Sequence, residues 1–245
     1  MRADRLGCYG YNLRPTSDRL DSVLNAKGFC AFRNAYSRAS WTLPATAKFF
    51  TSRYLRIHEE NNVPLEYKMM AEVLRDQGYY CISFTGGGYL RTPGFDQGFH
   101  DYYWTCALGK AEETFPQAMA WLKEEKIQPF FLFIHTFEVH TPYTRDILFG
   151  GLPPITLDEP GERRRLLMEG HRFDHAAALS PPESIYVQAA YDGGVRTACD
   201  ATVELFELMD ERGLWDQTIV VVLSDHGEEF WEHSSTFGHH PRTSL

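Results

Sequence analysis

Ile219-Val220-Val221-Val222-Leu223-Ser224-Asp225-His226-Gly227-Glu228-Glu229 is the stretch on which the reading of this chain turns. Five consecutive aliphatic residues make a strand-sized run, and an unbroken run of that kind suits a strand buried on both faces of a parallel sheet. In an open α/β sheet, ligands collect at the carboxyl ends of the strands. The exit of this strand carries a carboxylate and an imidazole side by side, Asp225 and His226, followed by a glycine. That pair reads as half of a metal site. A second apolar run, from Phe130 to Ile134, delivers His135, Glu138 and His140 ahead of Thr141-Pro142-Tyr143.

Working outward, helical and strand-like patterns alternate, which predicts an α/β layer architecture. Leu65 to Gln77 places Leu65, Met69, Val73 and Leu74 on one helical face, and Gly78 stands where a terminating glycine belongs. Tyr79 to Phe84 then reads as a strand. Ala111 to Lys126 repeats the pattern, with Pro116 close to the helix start, before the run at Phe130. A third unit, from about Ser184 to Arg212, is locally weakened by Gly193-Gly194 and stopped by Gly213; it leads into a strand over Thr218 to Ser224. Between the second and third units lies Thr136 to Pro182, long enough for a substrate loop; its Glu162-Arg163-Arg164-Arg165 run reads as a solvated turn of helix. No composition shift marks a boundary, so residues 1–245 read as a single domain.

Ser40-Trp41-Thr42-Leu43-Pro44 opens a further helix, because Pro44 suits a first turn and Ala47, Phe50 and Tyr54 continue an apolar face. Thr42 then lies at a helix N-terminus, as an ordinary N-cap or as an alkoxide favoured by the helix dipole and a cation. Four of the ten histidines (His226, His233, His239 and His240) fall within fifteen residues, a density that packing alone rarely calls for. Gly86-Gly87-Gly88 lacks the lysine and spacing of a phosphate-binding loop and reads as a flexible connector. Gly94 to Phe99 reads as a turn with aromatic anchors, and Asp101-Tyr102-Tyr103-Trp104 as packing.

Composition excludes other classes. With 245 residues, 43% hydrophobic and 23% charged, the chain carries enough apolar material for a substantial core. A formal charge of −9, with Lys and Arg spread along the chain, argues against a nucleic-acid footprint. The longest apolar runs are far short of the roughly 20 residues of a membrane-spanning helix. Cys8, Cys30, Cys81, Cys106 and Cys199 are odd in number and widely spaced, so they read as core thiols. The N-terminus shows no apolar leader, which gives a cytoplasmic expectation if Met1 is the true start and leaves the compartment open otherwise.

Taken in order, several segments resemble the sulfatase family of the alkaline phosphatase superfamily. They are Arg2 to Tyr11, Asn34 to Ser37 with Ser40 to Pro44, Gly94 to Gly98, Phe131 to His135 with His140 to Tyr143, Tyr191-Asp192, Gly213-Leu214 and Ser224 to Glu229. The resemblance implies a three-layer fold with a mainly parallel sheet between helices, and a divalent metal (Mn, Zn, Mg or Ca) beside a nucleophile that attacks a sulfate or phosphate ester. It assigns Asp225 and His226 to the metal and Thr42 to the nucleophile position, where its oxygen also touches the metal. His140 matches the histidine that contacts the ester or leaving group, and His239 the Lys/His of a Gly-Lys/His-Gly segment in which His240 departs from the second glycine.

Two further departures matter. Thr42 stands where the family carries Cys or Ser, and Thr46 replaces the motif arginine. Threonine cannot become formylglycine, so none is expected. An unmodified threonine can still attack phosphorus, as in phosphodiesterase, phosphonate hydrolase and phosphoglycerol transferase relatives. The family's first strand, whose aspartate is a ligand, would precede Met1, Asp4 being a later residue of that run; the chain also stops soon after His239, so it reads as partial at both ends. The expected function is metal-dependent hydrolysis of sulfate or phosphate esters of a small-molecule, carbohydrate or lipid-headgroup substrate. The rival from another class is an inactive remnant or binding protein.

Overall fold

The computed structural model describes residues 16–54, 66–105, 109–124, 129–143, 181–230 and 237–238. In chain order these form helices α1 (Asp18–Ala26), α2 (Thr42–Thr51) and α3 (Met70–Asp76), strands β1 (Tyr80–Thr85) and β2 (Asp101–Trp104), helix α4 (Ala111–Glu124), strand β3 (Phe130–His135), the long helix α5 (Pro181–Glu211), and the short strands β4 (Glu229–Phe230) and β5 (Phe237–Gly238). They fall into two compact units, one drawn from 36–138 and 201–225, the other from 1–35, 139–200 and 226–245.

The unit built on 36–138 holds a parallel sheet in the order β2-β1-β3. Its register sorts the side chains by the two-residue period of a strand. Ile82 pairs with Leu132 and Phe84 with Ile134, and this face packs on Ala118 and Trp121 of α4. Cys81 pairs with Phe131 and Ser83 with Phe133, and the opposite face meets α2 and α3. There Phe50 stands edge-on to Phe133 at 4.8 Å, over a cluster that includes Leu43, Ala47, Met69, Leu90 and Phe95. Helices on both faces of a parallel sheet are the expected three layers. Gly78 ends α3 at φ +86°, and the Tyr79 amide reaches back to the Leu74 carbonyl at 3.1 Å, closing the turn that feeds β1.

Within the same face the Ser83 hydroxyl is fully buried and makes no hydrogen bond among the described residues. A lone hydroxyl costs its desolvation without return. Ser83→Ala is therefore expected to raise stability by about 1 kcal/mol, read as a higher denaturant midpoint at unchanged slope. Burial also pushes the Cys81 thiol up, so it behaves as a packing group. Cys199 is buried too, whereas Cys30 is exposed and departs from the core-thiol reading; Cys8 and Cys106 lie outside the described residues.

In the other unit, Tyr143, Tyr191 and Phe230 form an edge-to-face cluster, with centroids 5.6 Å apart between the tyrosines and 5.0 Å between Tyr191 and Phe230. β4 and β5 pair antiparallel. Gly193-Gly194 do not break α5, which runs unbroken for 31 residues.

Two expectations are corrected. Thr218 to Ser224 is not a strand: no ladder joins it to another strand among the described residues, and Ile219 is 93% and Val221 69% exposed. An apolar run becomes a buried strand only when neighbouring backbone meets its N–H and C=O groups, and β2-β1-β3 does not extend to it. Gly86-Gly87-Gly88 is no flexible connector either. A Cβ on Gly86 would lie 2.0 Å from the Gly109 Cα, and one on Gly87 2.0 Å from the Phe137 ring, so these glycines permit a close backbone crossing.

Candidate functional site

Thr42 is the first residue of α2 and is buried. The N-cap position belongs to Trp41, in extended backbone, whose carbonyl accepts from the Ala45 amide at 3.2 Å. The ordinary N-cap reading of Thr42 therefore fails. Pro44 sits in the first turn, where its missing N–H leaves nothing unsatisfied. The hydroxyl thus emerges at the positive end of a helix dipole.

The loop entering α2 is tied to the segment that carries Asp225. Ser37 Oγ donates to the Asp225 carbonyl and also lies 2.7 Å from the Ala39 carbonyl. This contact joins residues 188 positions apart and brings the approach to Thr42 beside a candidate ligand. Ser37 stood among the segments of family resemblance, but its contact could not be read from sequence because nothing local marks it.

Two candidate-site histidines, His226 and His140, each set Nδ1 against a backbone carbonyl. His226 Nδ1 is 2.7 Å from the Gly227 carbonyl, and His140 Nδ1 is 2.6 Å from the Thr141 carbonyl. A ring nitrogen at that distance from a carbonyl must donate, so Nε2 carries the lone pair or a second proton. That is the orientation in which an imidazole ligates a cation or hands a proton to a leaving oxygen. His239, His233 and His240 lie outside the described residues.

Asp225 and His226 are suitable donors for a divalent cation, one hard oxygen and one imidazole. Among the described residues, however, no group of three or more His, Cys, Asp or Glu is placed to hold a metal ion. Two donors fall short of the four to six that such cations take.

At the carboxyl ends of β1 and β3 the backbone is held by a buried knot that sequence reading did not predict. Phe137 N donates to the Gly109 carbonyl at 2.8 Å, and Thr136 Oγ1 donates to the same oxygen at 2.8 Å. Glu138 is fully buried and its carboxylate accepts from the Ala111 amide at 2.8 Å, capping α4 from a distant segment. Lys110, also buried, donates from Nζ to the carbonyls of Phe137 and Glu138 at 3.3 and 3.2 Å. This fixes the start of the segment that two residues later carries His140. Glu138→Ala leaves the Ala111 N–H at the start of α4 without that carboxylate and is expected to cost about 1–2 kcal/mol, with Glu138→Gln, which keeps an acceptor, costing less in the same denaturant titration.

The sulfatase family model matches residues 1–244. The multifunctional alkaline phosphatase superfamily protein PehA of Trinickia caryophylli is 26% identical over 138 residues, 48% of this chain and 27% of that protein. Among solved structures, BT1596, a 2-O GAG sulfatase, superposes with a TM-score of 0.71 at 17% identity, covering 96% of this chain and 58% of that one. The phosphonate monoester hydrolase of Agrobacterium radiobacter superposes at 0.68 with 15% identity, over 93% of this chain and 61% of the other. At such identities the superpositions establish the fold, an α/β architecture with a parallel sheet flanked by helices. The chain spans about a quarter of the length of PehA and about three fifths of the two structures.

Proposed function

The chain belongs to the sulfatase family, and from that premise we propose that it is the catalytic portion of a hydrolase of sulfate or phosphate esters in which Thr42 is the nucleophile. We read residues 1–245 as one sulfatase-like catalytic domain, partial in extent. The observation that carries the proposal is the position of Thr42, buried at the first turn of α2 with Trp41 in the N-cap place, behind a loop bound to the Asp225 segment. Helix-terminal N–H groups and the dipole lower the cost of charge on its oxygen.

In the proposed reaction Thr42 Oγ1 gives its proton to solvent water and bonds to sulfur or phosphorus as the bond from that atom to the leaving ester oxygen breaks. His140 delivers a proton from Nε2 to that oxygen, and its Nδ1–H to Thr141 O supports the charged ring until then. Water then releases the threonine ester. His239 is assigned to the equatorial oxygens. Asp225 and His226 are the residues proposed for a divalent ion, whose chemistry would be Lewis-acid activation. A phosphorus ester is the favoured substrate, because an unmodified threonine performs direct displacement without the hydrated aldehyde of formylglycine. Small-molecule, carbohydrate and lipid-headgroup esters are the substrate classes to test.

The test is turnover of aryl sulfate, phosphate monoester, phosphodiester and phosphonate monoester substrates with Mn, Zn, Mg or Ca, on this chain and on a version extended upstream. Metal-dependent turnover of one class, with a phosphorylated or sulfated Thr42 trapped on acid quench, is the expected result. Absence of turnover in both proteins with every metal would overturn the proposal in favour of a non-catalytic binding role.

A further inference from the structure

Lys and Arg are spread along the whole chain, but the carboxylates are not. Between Asp21 and Glu59 the sequence holds six cations (Lys27, Arg33, Arg38, Lys48, Arg53 and Arg56) and no Asp or Glu, in a protein of formal charge −9. Two of the six converge on one ring. The Arg38 guanidinium carbon lies 5.4 Å and Lys48 Nζ 5.3 Å from the centroid of Tyr54, which is 78% exposed. Lys48 Nζ also donates to the Arg38 carbonyl at 2.9 Å, which fixes the loop on which Arg38 rides.

We propose that Arg38 and Lys48, held on Tyr54, form a subsite for an oxyanion group (sulfate, phosphate or carboxylate) that the substrate carries beside the ester to be cleaved. This rests on the ester-hydrolase reading and narrows its substrate class to esters with a second anionic group. Neither cation forms an ion pair with a carboxylate among the described residues. The ring's quadrupole draws both cations to one place, where a single oxyanion can meet the two charges. Arg38 is exposed and offers a planar fork of donors that matches an oxyanion bidentately, and Lys48 keeps two of its three N–H groups beyond the bond to Arg38 O. Location ties the pair to the chemistry: Arg38 directly follows Ser37, which binds the Asp225 carbonyl, and Lys48 lies on α2, the helix that Thr42 opens.

The experiment has two arms. First, sodium sulfate is titrated at constant ionic strength into protein with ring-labelled tyrosine, Tyr54→Phe assigning the signal. A saturable shift at Tyr54 is expected; Arg38→Gln should weaken it on the order of tenfold, as loss of a charge-assisted hydrogen bond does, and Arg38→Lys should restore part of it. Second, an aryl ester bearing a carboxylate is compared with its neutral carboxamide. Arg38→Gln should raise KM for the carboxylate ester about tenfold more than for the carboxamide. The subsite is refuted if no saturable shift occurs, or if Arg38→Gln keeps both the wild-type affinity and the wild-type KM ratio. A saturable, Arg38-dependent shift without hydrolysis of any ester leaves the oxyanion site standing and removes the ester-hydrolase reading instead.

Discussion

Thr42→Ala is expected to lower kcat/KM for the preferred ester by roughly 10³-fold or more, because without the hydroxyl no covalent route remains and only substrate binding and electrostatics persist. Thr42→Ser is expected to keep measurable turnover, since it retains an oxygen at the same place on α2. The two variants separate chemistry from packing. Thr42 is buried, so its methyl contributes to the core; both variants lose that methyl, and Thr42→Ala loses Oγ1 besides, a further change of about 1 kcal/mol. The folded fraction by circular dichroism should stay the same in both while activity diverges. Equal turnover in wild type and Thr42→Ala would remove threonine from the nucleophile position and leave the fold assignment untouched.

Gly86→Ala is expected to destabilise the protein by about 3 kcal/mol or more, at the top of the range for overpacking. The new Cβ would meet the Gly109 Cα at 2.0 Å and the Gly109 carbonyl carbon at 2.9 Å, and neither can rotate away as a side-chain tip can. Relief requires separating the end of β1 from the start of α4, which would also break the Phe137 N to Gly109 O bond of 2.8 Å. For a chain of this size the loss corresponds to a fall in Tm of roughly 6–12 °C. Gly88→Ala is the control: nothing lies within 4 Å of its Cβ and its φ is not positive, so its midpoint should move little. If Gly86→Ala melts like wild type, the close crossing is wrong.

The candidate site divides along similar lines. Asp225, His226 and His140 were legible because each follows an apolar run, where strand ends present ligands. The premise holds for His140, which follows β3, but not for Asp225 and His226, since Ile219 to Leu223 is not paired as a strand among the described residues. Thr42 was placed at a helix start by Pro44 and the apolar period after it, and α2 begins there. Sequence could not decide whether Thr42 capped the helix, since capping depends on which residue's backbone turns extended, and that is Trp41.

From the sequence alone came the α/β class, the alternation of helices and strands, the glycine stops at Gly78 and Gly213 and the candidate residues, because hydrophobic period and φ > 0 glycines report geometry within a few neighbouring positions. Only the tertiary structure showed that Gly86 abuts Gly109, that Glu138 caps α4 from across 27 residues and that Ser37 binds Asp225 across 188. The same holds for the exposure of Ile219, Val221, Val222 and Leu223. Each depends on which distant backbone comes close, and a hydrogen bond or a steric contact between segments leaves no periodic trace in either of them.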